Sequence, residues 1–265
     1  MTTGFFKEYI VEDFAVLLRA LGLNRGDTIL MHSSMKALGT KKTPLDFIHD
    51  IIGVIGEEGT LLAPALSYES VTAEEPYFSA LATEPCIGLI PKTFFHMDGV
   101  VRSIHPTHSV CAYGKHAVDI TSQHHLDETP VGPNSPFMKL LDYKGKILFI
   151  GEVIKCCTFM HGIEEIAGAP YTMNKERTHY IIEDAKGTVT ERDMYGHDFA
   201  GWKQEYQRIK DLLQYPEIRS GKVGQADCFL LDASALLEKA LAKFKEDPYY
   251  FVSKKLQEES DTGTG

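Results

Sequence analysis

The side chains best suited to acid–base chemistry in this chain lie between Thr158 and Glu165. His161 is followed three and four residues later by Glu164 and Glu165, a spacing that puts their side chains on one face of a helix. A carboxylate that accepts a hydrogen bond from one imidazole nitrogen fixes the tautomer and makes the other nitrogen a better base. The segment therefore predicts a general base and its orienting carboxylate, with either glutamate as the partner.

The flanking sequence predicts how this segment is positioned. An apolar run at 146–151 predicts a buried strand. Thr158 is a predicted N-cap for the helix that carries His161. A strand, a loop and a helix in this order bring the segment to the mouth of an α/β sheet, where such folds bind ligands. Cys157, four residues before His161, offers an alternative chemistry with a cysteine nucleophile and a histidine base.

A second group of polar residues follows a strand predicted at 27–32. Ser33, Ser34, Met35 and Lys36 open a short helix, where hydroxyls, free N–H groups and the lysine charge can bind a phosphate. Neither the glycine-rich dinucleotide fingerprint nor the P-loop sequence occurs, so the sequence does not indicate these nucleotide sites.

A third group lies between residues 102 and 109. Arg102, Ser103 and Ser109 supply a guanidinium and two hydroxyls that suit a phosphate. His105 precedes a proline, which favours extended backbone there, and it is the second candidate for the general base.

Composition indicates a soluble globular protein. The net charge of −10 argues against nucleic-acid binding and is compatible with a cationic substrate. No apolar run is long enough to span a membrane, and the N-terminus lacks the features of a signal peptide. Five cysteines without a C-x-x-C pair indicate neither a disulfide framework nor a zinc ribbon, so we expect a cytoplasmic protein.

The periodicity of apolar residues predicts a single α/β/α-type domain over 1–256, with a disordered tail at 257–265. The domain is expected to contain a central mixed sheet and a small additional helical and hairpin region on the substrate side. Further predicted elements are helices over 5–21, 43–55, 87–95, 198–213 and 233–244, a hairpin over 178–190 and a strand over 227–231.

Five motifs in a fixed order resemble the aminoglycoside 3-N-acetyltransferase family. They are His-Ser-Ser-x-x-x-Leu-Gly at 32–39, Gly-Thr-Leu-Leu-x-Pro at 59–64, Arg-Ser-x-His-Pro-x-x-Ser at 102–109, Gly-Pro-x-Ser-Pro at 132–136 and Thr-x-x-His-x-x-Glu at 158–164. The resemblance covers roughly residues 10 to 240. It implies an α/β fold distinct from the common GNAT acetyltransferases. It also implies acetyl transfer from acetyl-CoA to the 3-amino group of a deoxystreptamine ring, without a metal.

The resemblance and the residues together give an expected mechanism. His161 is the general base and Glu164 its orienting group, Thr158 stabilises the oxyanion, and transfer is direct, without an acyl-enzyme. Coenzyme A phosphates are expected at 33–36, with Arg102, Ser103 and Ser109 as a second set of contacts. Candidate contacts to the cationic acceptor are Tyr68, Glu69, Glu165, Asp184 and Asp198. The stretches 65–85 and 184–220 match no motif, which leaves the acceptor and the oligomeric state open, a homodimer being one option.

Three alternatives stay open at this point. The first is the cysteine-dependent acyltransferase or amidase built on Cys157. The second is a metal-dependent hydrolase that uses His105, His108, His161 and Glu164. The third is a coenzyme A-binding protein without transferase activity.

Overall fold

In residues 13–255, which the computed structural model describes, the main element is a seven-stranded mixed sheet. The strands in chain order are β1 (Thr28–Ser33), β2 (Thr60–Pro64), β3 (Tyr77–Ser79), β4 (Val101–Arg102), β5 (Val110–Gly114), β6 (Lys146–Ile150), β7 (Met173–Glu183), β8 (Val189–His197), β9 (Trp202–Gln204), β10 (Ile218–Val223), β11 (Ala226–Asp232) and β12 (Val252–Lys254). The α-helices are α1 (Phe14–Leu21), α2 (Met35–Leu38), α3 (Pro44–Ile55), α4 (Leu89–Phe95), α5 (Ala117–Thr121), α6 (Pro136–Lys139), α7 (Phe159–Ala167), α8 (Ile209–Leu212) and α9 (Ala233–Glu246).

The main sheet has the strand order β10-β11-β6-β1-β2-β5-β4. The central strand β1 is parallel to β2 and β6, and the outer pairs are antiparallel. The predicted central mixed sheet is therefore confirmed. Because β1, β2 and β6 are parallel, their carboxyl ends at Ser33, Pro64 and Ile150 share one edge of the sheet.

Helices cover both faces of this sheet. On one face Leu30 and Phe149 belong to a hydrophobic core that includes residues of α7 and α9. On the other face Ile29 and Leu148 belong to a core that includes residues of α1 and α3. Successive side chains of a strand point to opposite faces, so each central strand contributes to both cores. Each fully buried aliphatic or aromatic side chain stabilises the fold by at most about 1.5–3 kcal/mol.

A second sheet, of three strands in the described residues, contains the predicted hairpin. β7 and β8 form an antiparallel hairpin that is longer than predicted, and β3 adds in parallel to β7. This sheet has its own small core, formed by Val71, Phe78, Ala80, Tyr180, Ile182 and Met194. It is the additional hairpin region expected from the sequence.

The predicted helix over 198–213 is wrong. The segment contains β9, a 3-10 helix at Tyr206–Arg208 and the short α8. β9 pairs with β12, and the Trp202 ring stacks on Tyr249 with centroids 5.0 Å apart. Gly201, with φ at +78°, marks a break in any helix at this point. Strand pairing and ring stacking thus override a helical apolar pattern.

Other predicted elements are found near their expected limits. Helix α3 begins after Thr43, whose side chain and that of Asp46 form a reciprocal capping box. The predicted strand at 227–231 and helix at 233–244 correspond to β11 and α9. Helix α1 starts at Phe14 within the predicted 5–21, whereas positions 5–12 and the predicted tail lie outside the described residues. In the described part of the chain, no helix combines the length and apolar character that crossing a membrane requires.

Candidate active site

A cleft of about 750 Å³ lies at the carboxyl edge of the parallel strands. Its walls include Ser33 and Pro64 from the ends of β1 and β2. The hairpin contributes Asn174 and His197, and α7 contributes His161. The volume falls in the range of small-molecule sites, about 300–1,000 Å³. The prediction that the His/Glu segment lies at the mouth of the sheet agrees with this position.

His161 is held by a buried carboxylate and a phenol. Its Nδ1 lies 3.1 Å from Glu164 Oε2 and 2.9 Å from the Tyr206 hydroxyl oxygen. The Tyr206 hydroxyl donates to the same carboxylate oxygen at 2.8 Å, and the Tyr171 hydroxyl donates to Oε1 at 3.1 Å. Glu164 is fully buried. These contacts place the imidazole proton on Nδ1 and leave Nε2 as the basic nitrogen.

The tyrosines remain hydrogen-bond donors at neutral pH. Burial, followed by the nearby Glu164 carboxylate, raises the pKa of Tyr206 well above 10. Burial and Glu164 likewise raise the pKa of Tyr171. A buried carboxylate needs such donors, because an ionised group without partners in a low-dielectric site is strongly unfavourable.

Glu165 serves a different histidine. Its carboxylate accepts hydrogen bonds from Thr129 Oγ1 at 2.6 Å, from the Val131 N–H at 2.9 Å and from His197 Nε2 at 2.8 Å. The three-residue spacing therefore pairs Glu164 with His161. The predicted ammonium contact at Glu165 is not supported, because its oxygens are already occupied and it lies outside the cleft wall.

Several neutral histidines surround His161. The ring centroid of His197 is 4.7 Å from that of His161 and 5.0 Å from that of His108. Burial, followed by neighbouring histidines, lowers the pKa values of His108 and His197 well below 6.5. Burial lowers the pKa of His32 to about 3. Among residues 13–255, no group of three or more His, Cys, Asp or Glu side chains is arranged to hold a metal ion.

Thr158 lies in the cleft wall, directly before α7. Its backbone is helical, with φ at −63° and ψ at −25°, and its side chain makes no capping hydrogen bond. The predicted capping role is therefore wrong, since a capping side chain usually requires extended backbone. The Thr158 hydroxyl therefore makes no hydrogen bond to the N–H groups at the start of α7.

The cysteine alternative is not supported by the environment of Cys157. This residue is fully buried and does not line the cleft. Burial raises the pKa of its thiol to about 12, so the nucleophilic thiolate is strongly disfavoured at neutral pH.

Of the predicted phosphate contacts at 33–36, Ser33 is in the cleft wall. Its Oγ is buried, with no hydrogen-bond partner in the described residues. Ser34 precedes the four-residue helix α2 without capping it, and Lys36 is exposed. The geometry therefore supports Ser33 as a ligand contact more strongly than Ser34, Met35 or Lys36.

The structure places Arg102 in the scaffold and not in the cleft wall. The guanidinium donates to the carbonyls of Ala65 and Thr83, and it lies over the rings of Phe78 and Phe95 at 4.8 and 4.9 Å. Its donors are thus used within the protein, which supports a structural role in place of the predicted phosphate contact.

Ser103 and Ser109 have similar structural roles. Ser109 Oγ accepts from Arg102 Nε at 2.8 Å and donates to the Ala65 carbonyl at 2.8 Å. Ser103 Oγ bonds the His124 ring and accepts from the Val110 N–H. Both serines are fully buried, so neither supports the predicted coenzyme contact.

His105, the second candidate base, also lies outside the cleft wall. Its Nδ1 accepts from the N–H groups of Thr107 and His108 at 3.2 and 3.0 Å. Its ring stacks on His124, with centroids 4.8 Å apart. This buried arrangement organises the loop and does not support a role as base.

Among the other predicted acceptor contacts, Tyr68 alone lines the cleft. Glu69 is exposed and outside the wall. Asp184 accepts N–H groups in the β7–β8 turn, and Asp198 accepts the Ala200 N–H and faces a neighbouring cleft. No local sequence motif marks Tyr171, Tyr206 or His197, so these residues were not predicted.

The chain matches the family model described as aminoglycoside 3-N-acetyltransferase over residues 30–245. It is 28% identical to aminoglycoside N(3)-acetyltransferase VII of Streptomyces paromomycinus over 86% of this chain and 89% of that protein. It is 29% identical to the SPbeta prophage-derived aminoglycoside N(3')-acetyltransferase-like protein YokD of Bacillus subtilis over 88% and 89% of the two chains.

Solved structures agree with this relationship. The apoenzyme of aminoglycoside acetyltransferase AAC(3)-IVa superposes with a TM-score of 0.76 at 26% identity, covering 90% of this chain and 89% of that one. A mutant of the same enzyme, solved in complex with a gentamicin, gives a TM-score of 0.77 over the same fractions. The family match, which covers most of the chain, makes this protein an acyltransferase and a member of the aminoglycoside 3-N-acetyltransferase family.

Proposed function

We propose that this protein transfers the acetyl group of acetyl-CoA to the 3-amino group of a 2-deoxystreptamine aminoglycoside and thereby confers resistance. The observation that carries the proposal is the His161–Glu164–Tyr206 arrangement on the wall of the cleft. The AAC(3)-IVa structure with a gentamicin and the AAC-VIa structure with sisomicin support an aminoglycoside acceptor.

The cleft has unsatisfied polar groups that suit acetyl-CoA. Ser33 Oγ and His32 Nε2 are buried without partners in the described residues, and both residues line the cleft. Leaving such groups unpaired is unfavourable by about 1–3 kcal/mol each, which a bound ligand would relieve. When bound, acetyl-CoA supplies the activated acyl group as a thioester.

His161 acts as the general base. Nε2 takes a proton from the acceptor amine as its nitrogen attacks the thioester carbonyl, while Glu164 stabilises the resulting imidazolium through Nδ1. Thr158, a residue of the same cleft wall, donates its hydroxyl hydrogen bond to the developing oxyanion. The attack forms the C–N bond and the tetrahedral species, and collapse of that species restores the carbonyl and breaks the C–S bond. The proton held by His161 goes to the departing thiolate, and no acyl-enzyme forms.

Free-thiol release with acetyl-CoA and a panel of aminoglycosides measures the contribution of His161 to this mechanism. His161→Ala should lower kcat by roughly 10²–10⁴-fold, the contribution of a general base, while acetyl-CoA binding stays unchanged. His125→Ala is the matched control, because His125 is an exposed histidine outside the cleft wall. Full activity in His161→Ala, or no thiol release by the wild type with any acceptor, would contradict the proposal.

One observation favours a second candidate acceptor, a small amine with fewer charges. The cleft wall contains no Asp or Glu among the described residues, and it includes the cation Lys155. The additional ammonium groups of a polycation would therefore have no counter-charge within this cleft. A single-amine sugar in the same panel distinguishes the candidates, because a higher kcat/KM for it than for any aminoglycoside identifies the second.

A further inference from the structure

We propose that His197 binds the acceptor, as a neutral imidazole whose Nδ1 accepts a hydrogen bond from the group being acetylated or from its neighbour. This inference rests on the proposed function, because it assigns a role within the same cleft. The ligand is an amine that still carries an N–H after it has been deprotonated, or an amine with a hydroxyl group on a neighbouring carbon. His197 is therefore a specificity and positioning residue for the acceptor.

The tautomer of His197 follows from its contact with Glu165. Nε2 lies 2.8 Å from Glu165 Oε1, which also accepts the Val131 N–H at 2.9 Å. An ionised carboxylate only accepts hydrogen bonds, so Nε2 of His197 carries the proton and donates it to Oε1. Nδ1 is then the bare, accepting nitrogen.

Nδ1 is the unpaired atom of this ring. It is buried, with no hydrogen-bond partner in the described part of the chain, and His197 forms part of the cleft wall. Burial lowers the pKa of His197 well below 6.5, so the lone pair is available at neutral pH. A buried acceptor normally has a hydrogen-bond partner, and a ligand bound in the cleft that His197 lines can supply the donor.

The position of His197 relates that donor to the reaction. Its ring centroid is 4.7 Å from that of His161, so a group bound by both imidazoles lies at the base. The acceptor amine transfers one proton to His161 and donates a hydrogen bond through its other N–H to His197. These two contacts fix the direction in which its lone pair points. Such orientation contributes to the rate by avoiding unproductive geometries.

A purely structural role is the competing explanation. The His197–Glu165 hydrogen bond also ties the end of β8 to α7. A purely structural role would depend on Nε2, which contacts Glu165, whereas binding of the acceptor depends on Nδ1. A substitution that keeps a polar atom at one of these two positions and loses it at the other therefore separates the two roles.

The test uses a pair of amide variants in the thiol-release assay. In His197→Asn the side-chain amide reaches about the position of Nδ1, whereas in His197→Gln it reaches about that of Nε2. We expect His197→Gln to raise the KM of the acceptor by roughly 10-fold, about the effect of leaving one buried donor of the acceptor without a hydrogen-bond partner. We expect His197→Asn to keep it within about 3-fold, with the KM of acetyl-CoA unchanged in both. The reverse pattern, with His197→Gln like wild type and His197→Asn unstable, would overturn the proposal.

A second measurement separates failure of this proposal from failure of the proposed function. ¹⁵N NMR of the histidine rings should show Nδ1 of His197 unprotonated at neutral pH and shifted when sisomicin is added. A shift without thiol release would reject acetyl transfer to this acceptor and retain the binding role. An Nδ1-protonated or charged ring, or no shift with excess sisomicin, would overturn the binding role even if thiol release is observed.

Discussion

His161 depends on oxygen atoms that lie far away in the sequence. Tyr206 is 45 residues from His161, yet its hydroxyl contacts both Nδ1 of His161 and Glu164 Oε2. Tyr171 reaches the other oxygen of the same carboxylate. Both tyrosines therefore donate to the Glu164 carboxylate, and Tyr206 also contacts the proposed base, His161.

The difference between the two tyrosines gives a prediction. Tyr206→Phe should lower kcat by about 10-fold, because removal of one hydrogen bond to a charged group is unfavourable by about 1.5 kcal/mol or more. Tyr171→Phe is the matched control and should lower kcat less. Steady-state kinetics with the acceptor saturating measures both variants. Equal effects in the two variants would show that the contact with Nδ1 is unimportant.

At the residue scale, the sequence reveals contacts that are local along the chain. A pair of His161 with one of the two glutamates was predictable, because helical geometry brings residues three and four positions apart together, but only the structure shows that Glu164 is the partner. Tyr206 and His197 were not predictable, because only the tertiary fold brings β8 and the 3-10 helix next to α7. A guanidinium and two hydroxyls suited to a phosphate occur at Arg102, Ser103 and Ser109. The sequence could not show that hydrogen bonds within the protein already occupy these groups.

At the element scale, Arg102 joins β4 to the loop that follows β2. Its guanidinium donates to the Ala65 carbonyl in that loop and to the Thr83 carbonyl after β3, and it lies over two aromatic rings. Burial lowers its pKa to about 10, which leaves it charged at neutral pH. A lysine has neither the planar fork nor the stacking surface that these contacts use.

Arg102→Lys should therefore destabilise the fold and leave coenzyme binding intact. We expect the free energy of unfolding to fall by roughly 3 kcal/mol, because several buried carbonyls lose their donors. Urea denaturation measures the loss, and Arg19→Lys, an exposed change on α1, is the control. An unchanged stability together with a raised KM for acetyl-CoA would restore the phosphate-binding role predicted from the sequence.

Helices and strands were predicted correctly where residues close together in the sequence determine them. Thr43 and Asp46 specify the start of α3 through a capping box that short-range chemistry alone determines. Over 198–213, by contrast, β9 forms because β12 pairs with it from about 50 residues away. Apolar periodicity could not report that pairing, so it gave a helix.

At the scale of the whole molecule, five buried histidines make stability depend on pH. Burial is the main cause that lowers their pKa values; the residues are His32, His105, His108, His124 and His197. In the unfolded chain each takes up a proton near pH 6.5, whereas in the fold it stays neutral to a lower pH. The unfolded state thus binds more protons below pH 6.5.

Stability should consequently be full above pH 6.5 and fall as the pH decreases toward the folded-state pKa values. Each histidine contributes roughly 1 kcal/mol per pH unit across this window, so the urea midpoint should decrease clearly between pH 7 and pH 5. The same denaturation series at pH 7 and pH 8 is the control and should give similar midpoints. Equal stability at pH 5 and pH 7 would contradict the lowered pKa values, because it would mean that these rings take up protons as readily in the fold as in the unfolded chain.

The cleft walls come from two sheets with separate hydrophobic cores, which has a consequence for hydrogen exchange. The β3–β7–β8 sheet has a small core of its own, so we expect it to open locally at lower free energy than the main sheet. A ligand that contacts both Ser33 and His197 would bind only when the two sheets are in place. Coenzyme A with sisomicin should therefore slow amide exchange in β7 and β8 by a factor that grows with ligand concentration, and leave β10 and β11 unchanged. Exchange in the hairpin thus reports ligand occupancy directly, without any turnover.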